Sequence, residues 1–572
     1  MNSFNNISTN DELASFLSIS LSKLNYIIFV KGIDHYYKTF DVPKKNGEPR
    51  HICASTGELK ALQQKLSNEL WIHQKALNDR LKRTPNISHA FERSKSIITN
   101  AKIHRSKKIL INIDLKDFFD SIHFGRVCGY FENNRDYKLP HEVAMTMARL
   151  VCYKGKLPQG APTSPIITNL ICHVLDIHLL SLAKKYKLDY TRYADDLTFS
   201  TNHQGFVDMI DTFYNELKEE ILRSGFLINE EKTRIIFHNS KQIVTGLVVN
   251  NKISVERNYC RETRAMAHSM YKNGFYVING TANCNTRQLE GRFAFINQIE
   301  KYNNKNDISN KHNAYNLNSR EKQYQKFLFY RHFYNIEKPL IITEGKTDVR
   351  YIKAALMSMS EDYPELVSRD KKGKFNFKVN FFRRTKRLGY FFDISLDGAD
   401  GITKLYKYFS ESGKSKASNY YSYFSKLSKR MPENPVILIY DNEISVKDKP
   451  LKKFANEANL SDTQIKTLKS DLFLQVIANR NLFVVTTPLS DGIIESAIET
   501  MFTSETRNVI IQGKTLSLKS SYNKEKHFGK EIFSKYVLEN YGNIDFSGFK
   551  PFLNAIRSSI RAYELERNDI KL

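Results

Sequence analysis

Two adjacent carboxylates, Asp195 and Asp196 in the run KLDYTRYADDLTFS, carry the plainest chemistry in this sequence. The flanking residues are aromatic and β-branched, so the pair is expected at the tip of a β-hairpin. Like charges side by side cost free energy unless a cation neutralises them. Hard carboxylate oxygens suit Mg²⁺, or Mn²⁺ in its place, held jointly with substrate phosphates. An Asp pair alone is equally what a solvated turn looks like. A third carboxylate changes that balance. In KKILINIDLKDFFDSI the apolar strand Ile109–Ile113 delivers Asp114 at its end, followed by Phe118 and Phe119. Between the two acidic motifs lies LPQGAPTSP (157–165), where prolines flank Gln159 and Gly160 in a rigid turn. A helix is expected just beyond it, over Ile166–Leu179.

A strand-end Asp, a Gly-containing loop and a hairpin with paired Asp together resemble the palm of a bacterial reverse transcriptase. NAKIH (100–104) ahead of the palm strand and VTG (244–246) behind it match, in order and spacing, the pattern of retron reverse transcriptases. Five ordered motifs over roughly 200 residues form a specific signal. Carried onto these positions, the resemblance implies that Asp114, Asp195 and Asp196 are catalytic. With the backbone carbonyl of Leu115 they would hold two Mg²⁺ ions about 4 Å apart. The resemblance also implies that Phe119, five positions past Asp114, selects dNTPs; an ordinary core aromatic is the other reading and stays open. Gln159 and Gly160 are implied to line the template and nucleotide pocket. FDVPKKNGEPRHI supplies Lys44, Lys45 and Arg50 around an Asn-Gly turn. It resembles the fingers hairpin whose cations hold the incoming triphosphate, although a plain basic hairpin tip fits the same residues. Asn100 and His104 are expected to handle the retron RNA, with a satisfied structural histidine as the alternative.

The chain has 572 residues, with 87 Lys and Arg against 61 Asp and Glu, a formal charge of +26. An excess of that size points to a polyanionic partner. Basic and aromatic residues interleave in stretches such as KFLFYRHFYN (326–335). Rings there can stack on bases while cations track phosphates, although most single aromatics are expected in the core. Cys53, Cys128, Cys152, Cys172, Cys260 and Cys284 show neither CxxC spacing nor a disulfide framework. Reduced thiols and a bacterial cytoplasmic location are therefore expected. MNSFNNISTNDELASFL shows no basic-then-apolar leader, and no run reaches the ~18 apolar residues of a membrane span, so no membrane partner is expected.

This length exceeds one domain. The polymerase resemblance accounts for residues 1–336. The Asn- and Lys-rich segment 301–322 reads as a loop interrupting the thumb, because KQYQKFLFYRHFY after it reads as another helix. Then LIITEGKTDVRYIKAALMSM (340–359) gives a buried-type strand, Glu344–Gly345, and a helix with Val349, Ile352, Ala355 and Leu356 on one face. GYFFDISLDGADGITKLYKYF (389–409) reads as strand, turn and helix, and PVILIYDNE (435–443) as an apolar strand ending in Asp441 and Glu443. Alternating strand and helix predict a parallel α/β sheet, with acidic groups at the strand ends where such sheets place their sites.

The order strand-Glu-Gly, then strand-Asp-x-Glu, resembles the Toprim domain of topoisomerases, primases and OLD-family nucleases. One departure stands out: where the family reads DxD, this chain has Asp441-Asn442-Glu443. The resemblance implies that Glu344, Asp441 and Glu443 bind Mg²⁺, with Glu344 a catalytic ligand or base. Asp348 matches the family's EGxxD and reads as a metal group or a helix N-terminal acid. Glu499 and Lys530 match by position the Glu and Lys that OLD-like nucleases add. The basic stretch 371–387 is either a guide for a polyanion or a solvated loop. A degenerate domain in which Glu344 merely caps a helix is the remaining alternative.

The expected fold class is thus multidomain α/β and α+β: a right-hand polymerase of fingers, palm and thumb (1–336), then a Toprim-like parallel α/β domain (337–572). The expected function is RNA-directed DNA synthesis from dNTPs on a cognate noncoding RNA, leaving a branched RNA–DNA hybrid. It would be fused to a Mg²⁺-dependent nuclease toxin that attacks a nucleic-acid target in anti-phage defence. Two other readings stay open: a polymerase with a non-catalytic Toprim module, and a mobile-element reverse transcriptase of the group II intron kind. The oligomeric state is open, a homo-oligomer included.

Overall fold

The computed structural model describes residues 4–571 apart from 5–6, 45–46, 83–86, 308–312, 397, 399, 411–417, 491 and 520. The chain packs as two compact units, Met1–Arg257 and Asn258–Leu572.

The first unit opens with a hairpin of β1 (Tyr37–Pro43) and β2 (Pro49–Ser55), in register from Tyr37–Ser55 to Pro43–Pro49. The helix α1 (Ile97–Ile103) starts at a Ser96 capping box and leads into β3 (Ile109–Lys116). Then come α2 (Ser164–Ile171), α3 (His173–Lys185), β4 (Asp189–Tyr193) and β5 (Asp196–Thr201). Short strands β6 (Leu227–Ile228) and β7 (Arg234–Phe237) complete an antiparallel sheet of order β4-β5-β3-β6, with β7 also on β3. A tight pair, β8 (Ile243–Val244) and β9 (Leu247–Val248), follows. Period-2 alternation turns Ile109, Ile111, Ile113 and Leu115 of β3 into the core beneath α2 and α3. The helix expected over Ile166–Leu179 is longer, from Ser164 to Lys185, with a one-residue break at Cys172. Pro165 fits its first turn, and the apolar face continues through Leu175, Leu179 and Leu182. Contrary to expectation, this stretch is long and apolar enough to cross a membrane; 67% of its apolar window is buried inside the protein. A bent pair, Asn10–Phe16 and Leu21–Val30, passes the same test only if taken as one span.

The second unit begins with α4 (Thr286–Asn306) and α5 (Ser319–Phe329), the latter running into a π-helical turn Tyr330–Tyr334. Residues 301–306, expected as loop, continue α4 as its last turn and a half, beyond the buried face that ends at Glu300. Next come β10 (Leu340–Ile342), α6 (Lys346–Ser358), β11 (Asn380–Phe381), α7 (Lys386–Phe392), β12 (Val436–Tyr440), β13 (Phe473–Gln475) and β14 (Leu482–Thr486). The sheet order is β11-β10-β12-β14-β13, parallel except for β13. The strand expected at the start of 389–409 is instead the end of α7: Thr385 caps it, and Leu388, Phe391 and Phe392 fall on one helical face. Its place in the sheet is taken by β11.

Alternation along the central strands fills two cores. Val436, Leu438, Tyr440, Leu482 and Val484 pack with Phe327, Phe329, Tyr330 and Phe333 on one side. Ile437, Ile439, Phe483 and Val485 pack with Ile352, Leu356 and, from α8 (Lys530–Glu539) and α9 (Lys550–Lys571), Phe533 and Ile556. The segment expected as thumb is therefore one covering layer of the C-terminal sheet. The expected sequence boundary at 336/337 falls inside this second unit.

Candidate functional site

The antiparallel register of β3 and β5 sets Asp114 directly opposite Asp196, and Asp195 occupies the two-residue connection between β4 and β5. The Leu115 N–H donates to the Asp195 carbonyl at 3.0 Å, which ties the connection to β3. Ala194 beside it takes φ +57, a left-handed conformation costing roughly 1–2 kcal/mol outside glycine. A buried pair holds that strain. Arg192 forks onto Asp176 with two bonds of 2.8 Å, both side chains fully buried, and donates to the Ala194 carbonyl at 3.3 Å. Tyr190 adds its hydroxyl to the same carboxylate at 3.0 Å. Opening such a buried pair on one side costs about 3–5 kcal/mol.

Electrostatics divide the three carboxylates. Asp114 accepts Lys232 Nζ at 3.0 and 3.2 Å and Asn229 Nδ2 at 3.2 Å. Partial burial lowers the Lys232 pKa, but Asp114 and the nearby Asp195 and Asp196 outweigh it and raise it. Among the described residues Asp195 and Asp196 make no ion pair. Burial and then Asp114 raise the Asp195 pKa, opposed by Lys232 and Arg50. Asp196 reaches solvent on one side, yet the protein around it and the charges of Asp195 and Asp114 push it up to about 7. Like charges opposed on one ladder destabilise it. This donor set of hard oxygens fits a divalent cation.

The other expected residues spread around this centre. The Gln159 carbonyl accepts the Cys53 N–H at 2.9 Å, docking the loop on β2. Gly160, at φ +131, has room for no side chain: a Cβ would meet Ile52 Cγ2 at 2.9 Å and the Cys53 carbonyl at 3.0 Å. Arg50 on β2 is exposed and acts on Asp195 by its charge. Lys44 is exposed and pairs with Glu48 at 3.5 Å; Lys45 lies outside the described residues. Phe119 is half-buried, packed edge-on against the buried Phe118 at 5.4 Å and against the core of the first unit.

Asn100 and His104 require a correction. Both are 0% exposed, so neither offers an atom to an RNA strand. His104 bridges Ser200 and Thr191 at 2.7 Å each, and Thr191 donates to Asn100 Oδ1 at 2.5 Å. Burial, with help from His89 and Lys107, pushes His104 down to about 3, so it is neutral. Both residues brace the β4–β5 hairpin from behind. The VTG turn meets the same helix: Thr245, at φ +46, donates to the Ile97 carbonyl at 3.4 Å. Lys232, Asn229, Arg192 and Asp176 were missed by sequence reasoning. The available signal was an Asp inside the apolar helix run ICHVLDIHLL and an Arg two residues ahead of Ala194.

A second acidic cluster forms at the C-terminal ends of β10 and β12, adjacent parallel strands. Glu344 Oε1 accepts the Asp441 N–H at 3.3 Å. Asp441 Oδ1 accepts the Ile498 N–H at 3.0 Å, and a two-bond bridge between Asn442 and Ser496 brings the segment carrying Glu499 alongside. Glu499 is fully buried and pairs with Lys530 at 3.0 Å. Asp348 accepts the Gly345 N–H at 2.8 Å, so it, rather than Glu344, caps α6. Burial first, then Asp348 and Glu443, push Glu344 up to about 7. Burial and Glu499 push Asp348 up to about 6. Asp441 is raised well above the ordinary range by burial, Glu344, Asp348 and Glu499. Burial lowers the Lys530 pKa, but Glu499, Asp441 and Asp348 outweigh it. The structure thus gathers Glu344, Asp348, Asp441, Glu499 and Lys530. Glu443 turns aside to Lys449 at 2.7 Å and reaches Glu344 only through its charge. Crowded carboxylates held above their ordinary pKa make this donor set, too, fit a divalent cation.

One further trio, Cys128, Glu132 and His141, brings its ligand atoms within 4.8 Å of one another. Burial raises the Cys128 pKa and His141 pairs with Glu132 at 3.2 Å near the surface, so we assign it no metal.

The family model for reverse transcriptase (RNA-dependent DNA polymerase) matches residues 42–260. The chain is 32% identical over 331 residues to the retron Mx162 reverse transcriptase of Myxococcus xanthus, covering 52% of this chain and 65% of that protein. It is 35% identical over 264 residues to the retron Ec86 reverse transcriptase of Escherichia coli, covering 46% and 77%. The match to the first therefore spans just under two thirds of its length. A solved telomerase from Candida albicans aligns over 51% of this chain and 58% of that one, at 14% identity and a TM-score of 0.30, too slight an overlap to argue from.

Proposed function

The chain belongs to the retron reverse transcriptases, and from that premise we propose that it copies a cognate noncoding RNA into DNA at Asp114, Asp195 and Asp196. The observation that carries this reading is the β3–β5 register, which opposes Asp114 and Asp196 with Asp195 beside them. Bound Mg²⁺ would supply Lewis-acid activation of the primer hydroxyl and neutralise the triphosphate. The protein's own groups position the rest. Arg50 on β2, whose charge reaches Asp195, would serve as a clamp for phosphates. Gly160 keeps the pocket loop close against β2. The exposed part of the half-buried Phe119 would meet the sugar of the incoming nucleotide. The buried Arg192–Asp176 pair keeps the hairpin tip in its strained shape.

In the second unit, Glu344, Asp348, Asp441, Glu499 and Lys530 form a Toprim-type centre for metal-dependent phosphodiester cleavage. Crowded carboxylates at strand ends beside one lysine support this reading. A fused nuclease has to be silent in healthy cells, so in this account the RNA–DNA product restrains it until phage infection disturbs the complex. Sequencing the nucleic acid that copurifies with the full chain tests the polymerase half. The expected result is DNA covalently joined to one short noncoding RNA from the wild type, and that RNA alone from Asp195→Asn. RNA without DNA from the wild type would contradict it.

A further inference from the structure

A cavity of about 910 Å³ lies between α4 and α7, inside the second unit. That is the upper part of the ~300–1,000 Å³ range of ligand pockets. Lys301 and Lys305, one helical turn apart on α4, line it together with Lys386 and Arg387 of α7. The acids nearby are already engaged. Glu290 pairs with Arg387 at 3.0 Å and with Arg331, and Glu300 pairs with Arg320 at 2.7 Å. Glu321 accepts from Tyr390 and Asn304, each at 2.7 Å. Among the described residues Lys301, Lys305 and Lys386 make no ion pair, so three ammonium groups stand at the cavity without a counter-charge.

The wall between these cations is aromatic. Phe295 and Tyr390 line the cavity and are only half-buried, and the amide of Asn297 stands beside them. A separate observation concerns Gly291 on the same wall. It sits in the interior of α4, where glycine costs roughly 0.5–1 kcal/mol relative to alanine. An added Cβ would meet nothing within 4 Å. Packing therefore does not demand glycine here, and the bare backbone leaves this wall open to close approach by a ligand.

We propose that this cavity binds a segment of single-stranded nucleic acid, its phosphates on Lys301, Lys305 and Lys386 and a base against Phe295 or Tyr390. Cations without a counter-charge around half-buried rings and amides are the chemistry of such sites. The site is distinct from both acidic centres, and its occupancy can be read without any turnover. The strand would lie against the element that buttresses the second centre. Just ahead of α7, Arg384 donates to the carbonyls of Thr343 and Glu344 at 2.6 and 3.0 Å.

The test is photocrosslinking of short iodouracil-labelled DNA and RNA strands to the full chain, with the crosslinked peptide identified by mass spectrometry. Crosslinks are expected at Phe295 or Tyr390. Gly291→Leu, which adds a side chain to the cavity wall, should weaken them roughly tenfold or more at an unchanged melting temperature. Lys301→Glu with Lys305→Glu should do the same and lower the salt dependence of binding by about 0.7 per lysine. If Gly291→Leu fails to fold, the lysine variant and its salt slope decide. Crosslinks found only outside the cavity, or undiminished in the folded variants, would overturn the proposal. So would saturation of the cavity by ATP or an acidic peptide with no strand crosslinked there.

Discussion

In the first unit Asp114 and Asp196 face each other on neighbouring antiparallel strands, Asp195 sits in the turn just ahead of Asp196, and one lysine, Lys232, engages Asp114. In the second, four carboxylates come from three segments, Glu344 with Asp348, then Asp441, then Glu499, and Lys530 arrives on a fourth. The first centre takes its spacing from the ladder itself, since strand pairing fixes how far apart facing residues stand. The second takes its spacing from a loop bridge, Asn442 to Ser496, and from an N–H held by a carboxylate oxygen, Ile498 to Asp441. A ladder tolerates change around it, whereas a site assembled from loops depends on each tether. Both arrangements crowd negative charge and raise carboxylate pKa values.

Asp195→Asn should cut primer extension by ~1,000-fold or more, about 4 kcal/mol of barrier, while leaving the melting temperature within a few degrees. Wild-type extension rates from that variant would remove the palm assignment. Asp441→Asn should lower metal-dependent phosphodiester cleavage by ~100-fold and relieve any toxicity of the chain expressed without its RNA. Toxicity that persists would return the second unit to a binding role.

His104→Ala should cost ~1–3 kcal/mol of stability, because it strips partners from buried hydroxyls. Its effect on synthesis should be equal on cognate RNA and on a generic primed template. A loss confined to the cognate RNA would restore a recognition role despite its burial. Phe119→Ala should relax dNTP over rNTP selection by ~10-fold in single-nucleotide incorporation; unchanged selectivity would leave the ring a packing group.

The smallest effect is on pH dependence. Glu344 near 7 and Asp348 near 6 lie above ordinary carboxylate values. Between roughly pH 4 and 7 the folded second unit therefore binds more protons than the unfolded chain, so without metal its stability falls as pH rises through that window. Thermal melts should show a lower transition at about pH 8 than at about pH 5, with Mg²⁺ or Mn²⁺ restoring part of the difference. A transition insensitive to pH, or one rising across the window, would say that the cluster is not strained.

Much of the first centre was legible because its motifs are contiguous. Asp114, Asp195, Asp196 and the loop at Gln159–Gly160 each belong to short runs whose local structure follows from pattern. Gly160 has a packing reason that the sequence could only hint at, a Cβ clash with β2. Lys232 was not visible, since its role exists only once β6 and β7 fold back on β3. Asn100 and His104 marked a real feature of the chain, but motif membership does not tell a buried brace from an exposed reader. In the second unit the parallel sheet followed from its apolar strands. The helix at Lys386–Phe392 did not, because Gly389 and a run of aromatics resemble a strand until the Thr385 cap is seen. The sharing of one core by α5 and the C-terminal sheet is a long-range fact of packing that no local pattern carries.

A reciprocal assay of two purified variants tests the division between the two centres most directly. Primer extension is measured on Glu344→Gln and phosphodiester cleavage on Asp195→Asn, each against the wild type. Two separate centres predict that each variant keeps the activity measured on it at close to the wild-type rate. Loss of extension in Glu344→Gln, or of cleavage in Asp195→Asn, with both proteins folded, would contradict that division.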